Sequence, residues 1–113
     1  MKYNFTTYPT FDKEFKRLAK RYKSLKQDFL ALVQEIEQNA NAGTNLGHGI
    51  YKYRLSIVSK GKGKRGGARV ISINVIASGR DEADVGFLYI YDKSDRTNIT
   101  DNEIKILMKR NGL

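Results

Sequence analysis

The sequence contains no cysteine, one proline and one histidine, and these scarcities exclude several classes of protein. Without cysteine there is no disulfide framework, no thiolate zinc site and no cysteine nucleophile. A single histidine, His48, disfavours a histidine-based metal site and a catalytic triad. We therefore expect no metal site.

Long apolar segments are also missing. The first ten residues are polar and aromatic rather than a signal-peptide run, and no stretch reaches the roughly 18 apolar residues of a membrane span. The chain has 113 residues, the size of one domain, and it contains no repeat or linker. We expect a single domain over residues 1–113, located in the cytoplasm and not in a membrane.

Positive charge is in excess and is concentrated in the middle of the chain. There are 21 Lys and Arg against 12 Asp and Glu, a net charge of +9. Residues 51–79 carry seven basic and no acidic side chains, whereas residues 1–50 have a net charge of +3 and residues 80–113 of −1. Such a patch attracts phosphate polymers, because binding releases their condensed counterions. The alternative is a soluble basic surface that binds no nucleic acid.

The first half of the chain predicts one strand and two helices. Residues 3–7 alternate as a strand, and Thr10 is placed to be the N-cap of a helix. One face of that helix carries apolar residues at intervals of three and four: Phe11, Phe15, Leu18 and Tyr22. A second helix begins after Ser24, whose spacing to Gln27 has the capping-box form. The two form a helical hairpin or one long bent helix.

The second half changes from a period of 3.6 to a period of 2. We predict strands over residues 51–58, 68–77 and 86–92, the last two joined by a hairpin loop at 79–84. A capping box at Thr100–Glu103 opens a final helix. The order β-α-α-β-β-β-α predicts an α+β fold, in which the N-terminal helical hairpin packs on a small antiparallel sheet that a C-terminal helix follows.

A glycine-rich loop at residues 61–66 matches the pattern GxGxxG. A dinucleotide site needs a helix to begin at those glycines, but a strand is predicted from Ala68. A Walker A loop is excluded because Gly67 and Ala68 stand where lysine and serine or threonine are required. We therefore expect no nucleotide cofactor, and interpret residues 59–67 as an exposed basic loop that can approach phosphates closely.

Three cations are candidates for holding one phosphodiester. Lys52 and Arg54 lie two residues apart on a strand and share a face, and Arg69 lies across the hairpin from them. The alternative is an ordinary solvated strand face. Arg69 has the same strand parity as three residues that look like core, Ile71, Ile73 and Val75. Either a bulge intervenes or the strand proper begins after Arg69.

The segment from Lys52 to Ile71 resembles the centre of RelE/HigB-type toxins of the RelE/ParE superfamily. In that family a K-x-[KR] strand leads through a K-G-K-[SR]-G-G loop into an R-[VI]-I strand. This chain has KYRL, then SKGKGKRGG, then ARVI in the same order. Residues 89–93 and the helix at 100–111 are similar to the family's last strand, basic turn and C-terminal helix. The likeness covers most of the chain from about residue 50 onward.

The resemblance implies a microbial-ribonuclease-like fold and the toxin of a type II toxin–antitoxin system. Such a toxin enters the ribosomal A site and cleaves mRNA without a metal, by attack of a ribose 2′-hydroxyl on the scissile phosphate. Its partners would be a cognate antitoxin, the ribosome and mRNA. One alternative is a ParE-like inhibitor of DNA gyrase with no nuclease activity. Another is a plain RNA-binding module, for which the chain has no aromatic stacking motif.

The resemblance also implies roles for individual residues. The family's phosphate-handling cations correspond to Lys52, Arg54 and Arg69, and its basic residue after the last strand to Lys93 or Arg96. Some members of the family have a catalytic tyrosine near the C-terminus, but this chain has no tyrosine after Tyr91. The residue that transfers protons is therefore left open between Lys52, Tyr91 and His48. The candidate catalytic residues are Lys52, Arg54, Arg69, Tyr91 and Lys93. The candidate nucleic-acid-binding residues are Lys60, Lys62, Lys64, Arg65 and Arg96.

The basic loop generates a prediction about salt dependence. Replacing Lys62, Lys64 and Arg65 together by alanine should flatten the plot of log affinity for ribosomes or RNA against log salt by about one unit per lost phosphate contact. The measurement is equilibrium binding at several salt concentrations. An unchanged slope would mean that the loop is only a connector.

Overall fold

The computed structural model describes residues 1–39, 41–77 and 79–113. Within these ranges five strands and three α-helices follow one another. They are β1 (Lys2–Thr7), α1 (Pro9–Arg21), α2 (Leu25–Gln38), β2 (Thr44–Gly47), β3 (Ile50–Leu55), β4 (Ala68–Ala77), β5 (Glu82–Asp92) and α3 (Asp101–Arg110). The predicted α+β class, the helical hairpin and the C-terminal helix are confirmed. No helix in the described ranges has the length and apolar character that crossing a membrane requires.

The sheet is mixed rather than purely antiparallel. Its strand order is β1-β5-β4-β3-β2, and β2 to β5 pair antiparallel as a meander. β1 pairs parallel to β5, from Lys2 opposite Glu82 to Thr7 opposite Phe87. The expectation of an antiparallel sheet is wrong at this edge. The direction of β1 depends on a partner some 80 residues away, which no local pattern specifies.

Both faces of the sheet are covered, and each carries its own core. The helical hairpin covers one face, where the rings of Phe11, Phe29 and Phe87 lie with centroids 5.0–5.7 Å apart. α3 covers the other face, where Ile104 and Leu107 join the sheet's Ile50, Ile71, Leu88 and Tyr91. Aromatic pairs at such separations add to the stabilisation from buried area.

A β-bulge lies next to Ile71, but it does not explain the strand parity of Arg69. Ile71 pairs with Tyr89 but Ser72 pairs with Phe87, so the extra residue is Leu88 of β5. Arg69 lies inside β4, and no bulge separates it from Ile71. The two share a face because that face carries the second core. Val75, which was expected in the core, is 57% exposed beyond it.

The helix N-termini differ from two of the three predicted caps. α1 begins at Pro9 with Tyr8 as N-cap, and the Thr10 hydroxyl instead donates to the carbonyl of Leu88 at 2.5 Å. The Ser24 side chain makes no cap hydrogen bond, because its hydroxyl donates to Asp28 Oδ2 at 2.6 Å. The capping box of Thr100 and Glu103 is confirmed. Two separate helices form, as in the first alternative.

Two strand boundaries differ by three or more residues from those predicted, and one strand was not predicted. β3 ends at Leu55 rather than at residue 58, and β5 begins at Glu82 rather than at residue 86, inside the predicted hairpin loop. β2 was not predicted, because all four of its residues are exposed and give no alternating pattern.

The buried carboxylate of Asp92 connects three parts of the fold at the end of β5. It accepts hydrogen bonds from Lys60 Nζ at 2.6 Å, from Tyr22 Oη at 2.5 Å and from Arg21 Nη1 at 3.0 Å. The backbone N–H of Ser94 donates to it at 2.9 Å. Burial alone would raise the pKa of this carboxyl, but these hydrogen bonds outweigh it and hold the pKa well below its usual range.

Replacing Asp92 by asparagine should lower the free energy of unfolding by about 3 kcal/mol, because it leaves the nearly buried Lys60 ammonium without a counter-charge. The matched control is Asp95→Asn, which removes a half-exposed partner of Arg17 and Arg21 and should cost less than about 1 kcal/mol. Urea unfolding at pH 7 measures both. Equal losses in the two variants would contradict a special role for Asp92.

The parent protein and the Asp92→Asn variant should also differ in how their stability changes at acid pH. A carboxyl whose pKa is depressed in the folded state contributes stability that is complete above its unfolded pKa of about 4 and is lost as the pH falls further. The stability gap between parent and Asp92→Asn should therefore be constant from pH 5 to 7 and narrow below about pH 4. A gap that does not change with pH would contradict the charge as its cause.

Candidate nucleic-acid interface

Two rows of side chains cross the sheet on the face that α3 covers. In one row Arg54 of β3 lies opposite Arg69 of β4, which lies opposite Tyr91 of β5. In the next row Lys52 lies opposite Ile71. Neighbouring strands are about 4.8 Å apart, so the hairpin brings Lys52, Arg54 and Arg69 together as their parity predicted.

Lys93 joins these residues from the turn after β5, and we refer to Lys52, Arg54, Arg69 and Lys93 as the cation cluster. Within the described residues none of the four forms an ion pair. The pKa of Lys52 is lowered by burial and then by the charges of Arg69, Lys93 and Arg54. Like charges opposite each other on a sheet are destabilising. A bound anion would relieve this repulsion.

Arg69 is the least exposed member of the cation cluster, with 6% of its surface accessible. Its Nη1 donates to the carbonyls of Lys64 and Ala68 at 2.8 and 2.9 Å, and its Nη2 donates to the carbonyl of Arg65 at 3.2 Å. Burial, followed by the charge of Arg54, lowers its pKa. Arg69 therefore braces the basic loop and leaves fewer N–H groups for a ligand than a free guanidinium has.

Tyr91 lies beside the cation cluster but is closed to solvent. Its side chain is buried, and its hydroxyl has no hydrogen-bond partner among the described residues. The Arg96 guanidinium covers the ring, with Cζ 5.6 Å from the centroid. Burial raises the pKa of Tyr91, although the charges of Arg69 and Arg96 oppose that effect. The hydroxyl is therefore neutral, and it can meet a ligand only after its cover moves.

The turn after β5 supplies a polar residue that the sequence did not single out. Asn98 Oδ1 accepts a hydrogen bond from Lys52 Nζ at 2.9 Å, while Lys93 Nζ donates to the carbonyl of Thr97 at 2.8 Å. Nothing in the local pattern marks Asn98, because one asparagine in a polar turn is ordinary. Its contact with Lys52 spans 46 residues of sequence.

The five predicted nucleic-acid-binding residues fall into two groups. Three of them have acidic partners in the fold: Lys60 pairs with Asp92, Lys64 with Glu35 and Arg96 with Glu103. Lys62 and Arg65 are exposed and form no ion pair within the described part of the chain. Lys62 and Arg65 are thus the loop cations with no acidic partner among the described residues.

The loop backbone excludes the nucleotide-binding alternatives as the sequence predicted. A strand and not a helix follows the glycines, beginning at Ala68. Gly67 is required for packing, because a Cβ there would lie 2.0 Å from the carbonyl oxygen of Leu55. Residues 58–60 form a short 3-10 helix, and Lys60 is nearly buried, so the loop is less exposed at its start than predicted.

His48 lies away from the cation cluster. It occupies the turn between β2 and β3 with a left-handed φ of 55° and lines a cavity of about 510 Å³ with Ile104 and Met108. Among the described residues it makes no hydrogen bond to a cluster member, which leaves Lys52 and Tyr91 as the proton-transfer candidates beside the cluster. No group of three His, Cys, Asp or Glu side chains in the described ranges is arranged to hold a metal.

Comparison with protein-family models gives a match that covers most of the chain. The family model described as the RelE toxin of the RelE/RelB toxin–antitoxin system matches residues 10–112. That range includes every residue of the cation cluster and leaves out residues 1–9, which contain β1 and the first residue of α1, and the last residue. A search of curated proteins found no significant match.

Arg54 and Arg69 should respond oppositely to truncation. Arg54→Ala should leave the free energy of unfolding unchanged or slightly raised, because it removes a like charge from an exposed position. Arg69→Ala should lower it by about 2–3 kcal/mol, because the carbonyls of Lys64, Arg65 and Ala68 lose a charged donor. Urea unfolding at low salt measures both. A large loss in Arg54→Ala would contradict the repulsion.

Proposed function

The chain belongs to the RelE toxin family, and on that premise we propose that it is an endoribonuclease that cleaves mRNA on the ribosome. Family membership makes it the toxin of a toxin–antitoxin system, with a cognate antitoxin as its partner. The proposal adds the chemistry, the substrate and the site. It also places the protein in the cytoplasm, where translating ribosomes are found.

The observation that carries the proposal is the cation cluster. Four basic side chains converge on one face of the sheet and have no acidic partner among the described residues, although other cations of the chain do have one. An arrangement that costs stability in the free protein is expected where a ligand of opposite charge binds. A phosphodiester of RNA has that charge.

The chemistry would be an internal transfer at one phosphate. The ribose 2′-oxygen attacks the adjacent phosphorus, the bond to the 5′-oxygen of the next nucleotide breaks, and a cyclic phosphate and a 5′-hydroxyl result. Negative charge gathers on the phosphorane oxygens during this step. Lys52 and Arg54 are the cluster members best placed to stabilise it, because Arg54 is exposed and Lys52 is only partly covered.

Proton transfer would depend on Lys52 more than on Tyr91. A lowered pKa brings an ammonium closer to the range where it can exchange protons at neutral pH. Tyr91 keeps its proton and has no access to a substrate in this conformation. With so few suitable groups the isolated protein should be a poor nuclease, and the ribosome would have to orient the mRNA.

The remaining partner interactions follow from the same charge. An acidic or amphipathic antitoxin segment, ordered on binding, would cover the cation cluster and Lys62 and Arg65, and so block RNA. The second candidate, a ParE-like gyrase inhibitor, has no need for convergent phosphate-binding cations. It is therefore kept only as an outcome of the experiment.

Single-turnover cleavage of mRNA on programmed ribosomes tests the proposal. Lys52→Ala and Arg54→Ala should each slow cleavage by about 100- to 1000-fold, as removal of one preorganised charge stabiliser does. Ribosome binding, measured separately, should change much less, because other cations contribute to it. Lys13→Ala is the control, since Lys13 is exposed on α1 and makes no described side-chain contact.

Two results would contradict the proposal. One is intact mRNA on ribosomes saturated with the parent protein. The other is growth arrest in cells through gyrase-dependent DNA breaks with undamaged mRNA, which would favour the ParE-like alternative.

A further inference from the structure

We propose that Asn98 is the positioning residue for Lys52 and that its free amide N–H groups contact the RNA phosphate. This inference rests on the proposed function and adds a residue to its site. Asn98 Oδ1 accepts from Lys52 Nζ at 2.9 Å, and the Asn98 side chain is exposed on the side of the sheet that carries the cation cluster.

The orientation of the Asn98 amide follows from hydrogen-bond chemistry. A lysine ammonium has only donors, so the amide oxygen and not the amide nitrogen faces Lys52. The nitrogen Nδ2 then points away, and it has no hydrogen-bond partner within the described residues. Asn98 therefore presents two unused donors next to an ammonium that itself retains two. Four donors of this kind suit the oxygens of one phosphate.

The main chain around Asn98 is held firmly, although its side chain is exposed. Ile99 is buried in the core beneath α3, and Thr100 is fixed by the capping box with Glu103. Arg96 Nε donates to the Asn98 carbonyl at 2.9 Å, while its Nη2 donates to Glu103. Asn98 is thus a rigid acceptor for a long, flexible side chain. It can hold the Lys52 ammonium in one position, whereas the flexible lysine side chain does not fix that position by itself.

The surroundings of Lys52 make this contact important. The charges that act on it are all positive, from Arg69 on β4, Lys93 in the turn and Arg54 on its own strand. Its β2 partner Thr44 carries no charge, and β5 contributes the tyrosines Tyr89 and Tyr91 to this face. Repulsion alone would turn Lys52 away from the cluster. The hydrogen bond from Lys52 to the side-chain amide oxygen of Asn98 opposes that tendency.

Two substitutions of Asn98 separate positioning from a merely structural role. Asn98→Ala removes the acceptor and should lower the cleavage rate constant on programmed ribosomes about 10- to 100-fold with little change in ribosome affinity. Asn98→Asp places a negative charge at the contact and should raise the pKa of Lys52. NMR titration of the Lys52 side chain measures that shift in the free protein, without RNA.

The matched control is Asn102, an exposed asparagine in the first turn of α3 whose side chain makes no described hydrogen bond. Asn102→Asp adds the same charge four residues away and should leave the Lys52 pKa and the cleavage rate near those of the parent. Thermal melting of all the variants checks folding, and exposed positions should tolerate each change.

The two readouts distinguish the failure of this inference from that of the proposed function. An unchanged Lys52 pKa in Asn98→Asp, or a parental cleavage rate in Asn98→Ala, would overturn the role of Asn98. If the parent cleaves no mRNA, the proposed function fails, and a Lys52 pKa raised in Asn98→Asp but not in Asn102→Asp would still support the positioning contact. A shift of equal size in both variants would overturn it.

Discussion

The hydrogen bonds accepted by the buried carboxylate of Asp92 are the interaction on which the rest of the structure depends. It joins the end of α1, the start of the basic loop and the turn after β5, three segments that lie far apart in sequence. A buried charge is tolerated only when it is paired and fully hydrogen-bonded. Asp92 meets that condition, and it therefore fixes where the loop begins and where the turn that carries Lys93 and Asn98 leaves the sheet.

The basic side chains of the fold fall into two groups, according to whether they have an acidic partner. Lys60, Lys64 and Arg96 hold elements together through acidic partners. The cation cluster has none among the described residues, and Arg69 adapts by donating to loop carbonyls instead. The first group stabilises the scaffold, and the second raises its electrostatic energy. Lys60, Lys64 and Arg96 thus contribute to stability, whereas Lys52, Arg54 and Lys93 are left for the proposed ligand.

Much of this arrangement could be predicted from the sequence, where the signal is local. The alternation of β3 and β4 placed Lys52, Arg54 and Arg69 on one face, and Thr100 and Glu103 marked the start of α3. Ser24 and Thr10 failed as caps because their hydroxyls bond to partners that only the folded structure supplies. The acidic partner of Lys60 and the contact of Asn98 with Lys52 are tertiary in the same sense, so no local pattern reveals them.

The parallel pairing of β1 with β5 has a consequence for biosynthesis. The first strand of the chain has no partner until residues 82–87 exist, and Lys93 and Asn98 come later still. Pairing over such sequence separations is entropically costly and slow. A nascent chain therefore carries Lys52 and Arg54 well before the turn that completes the cluster has been made. The face that carries the cation cluster is therefore complete only when translation of the chain is nearly finished.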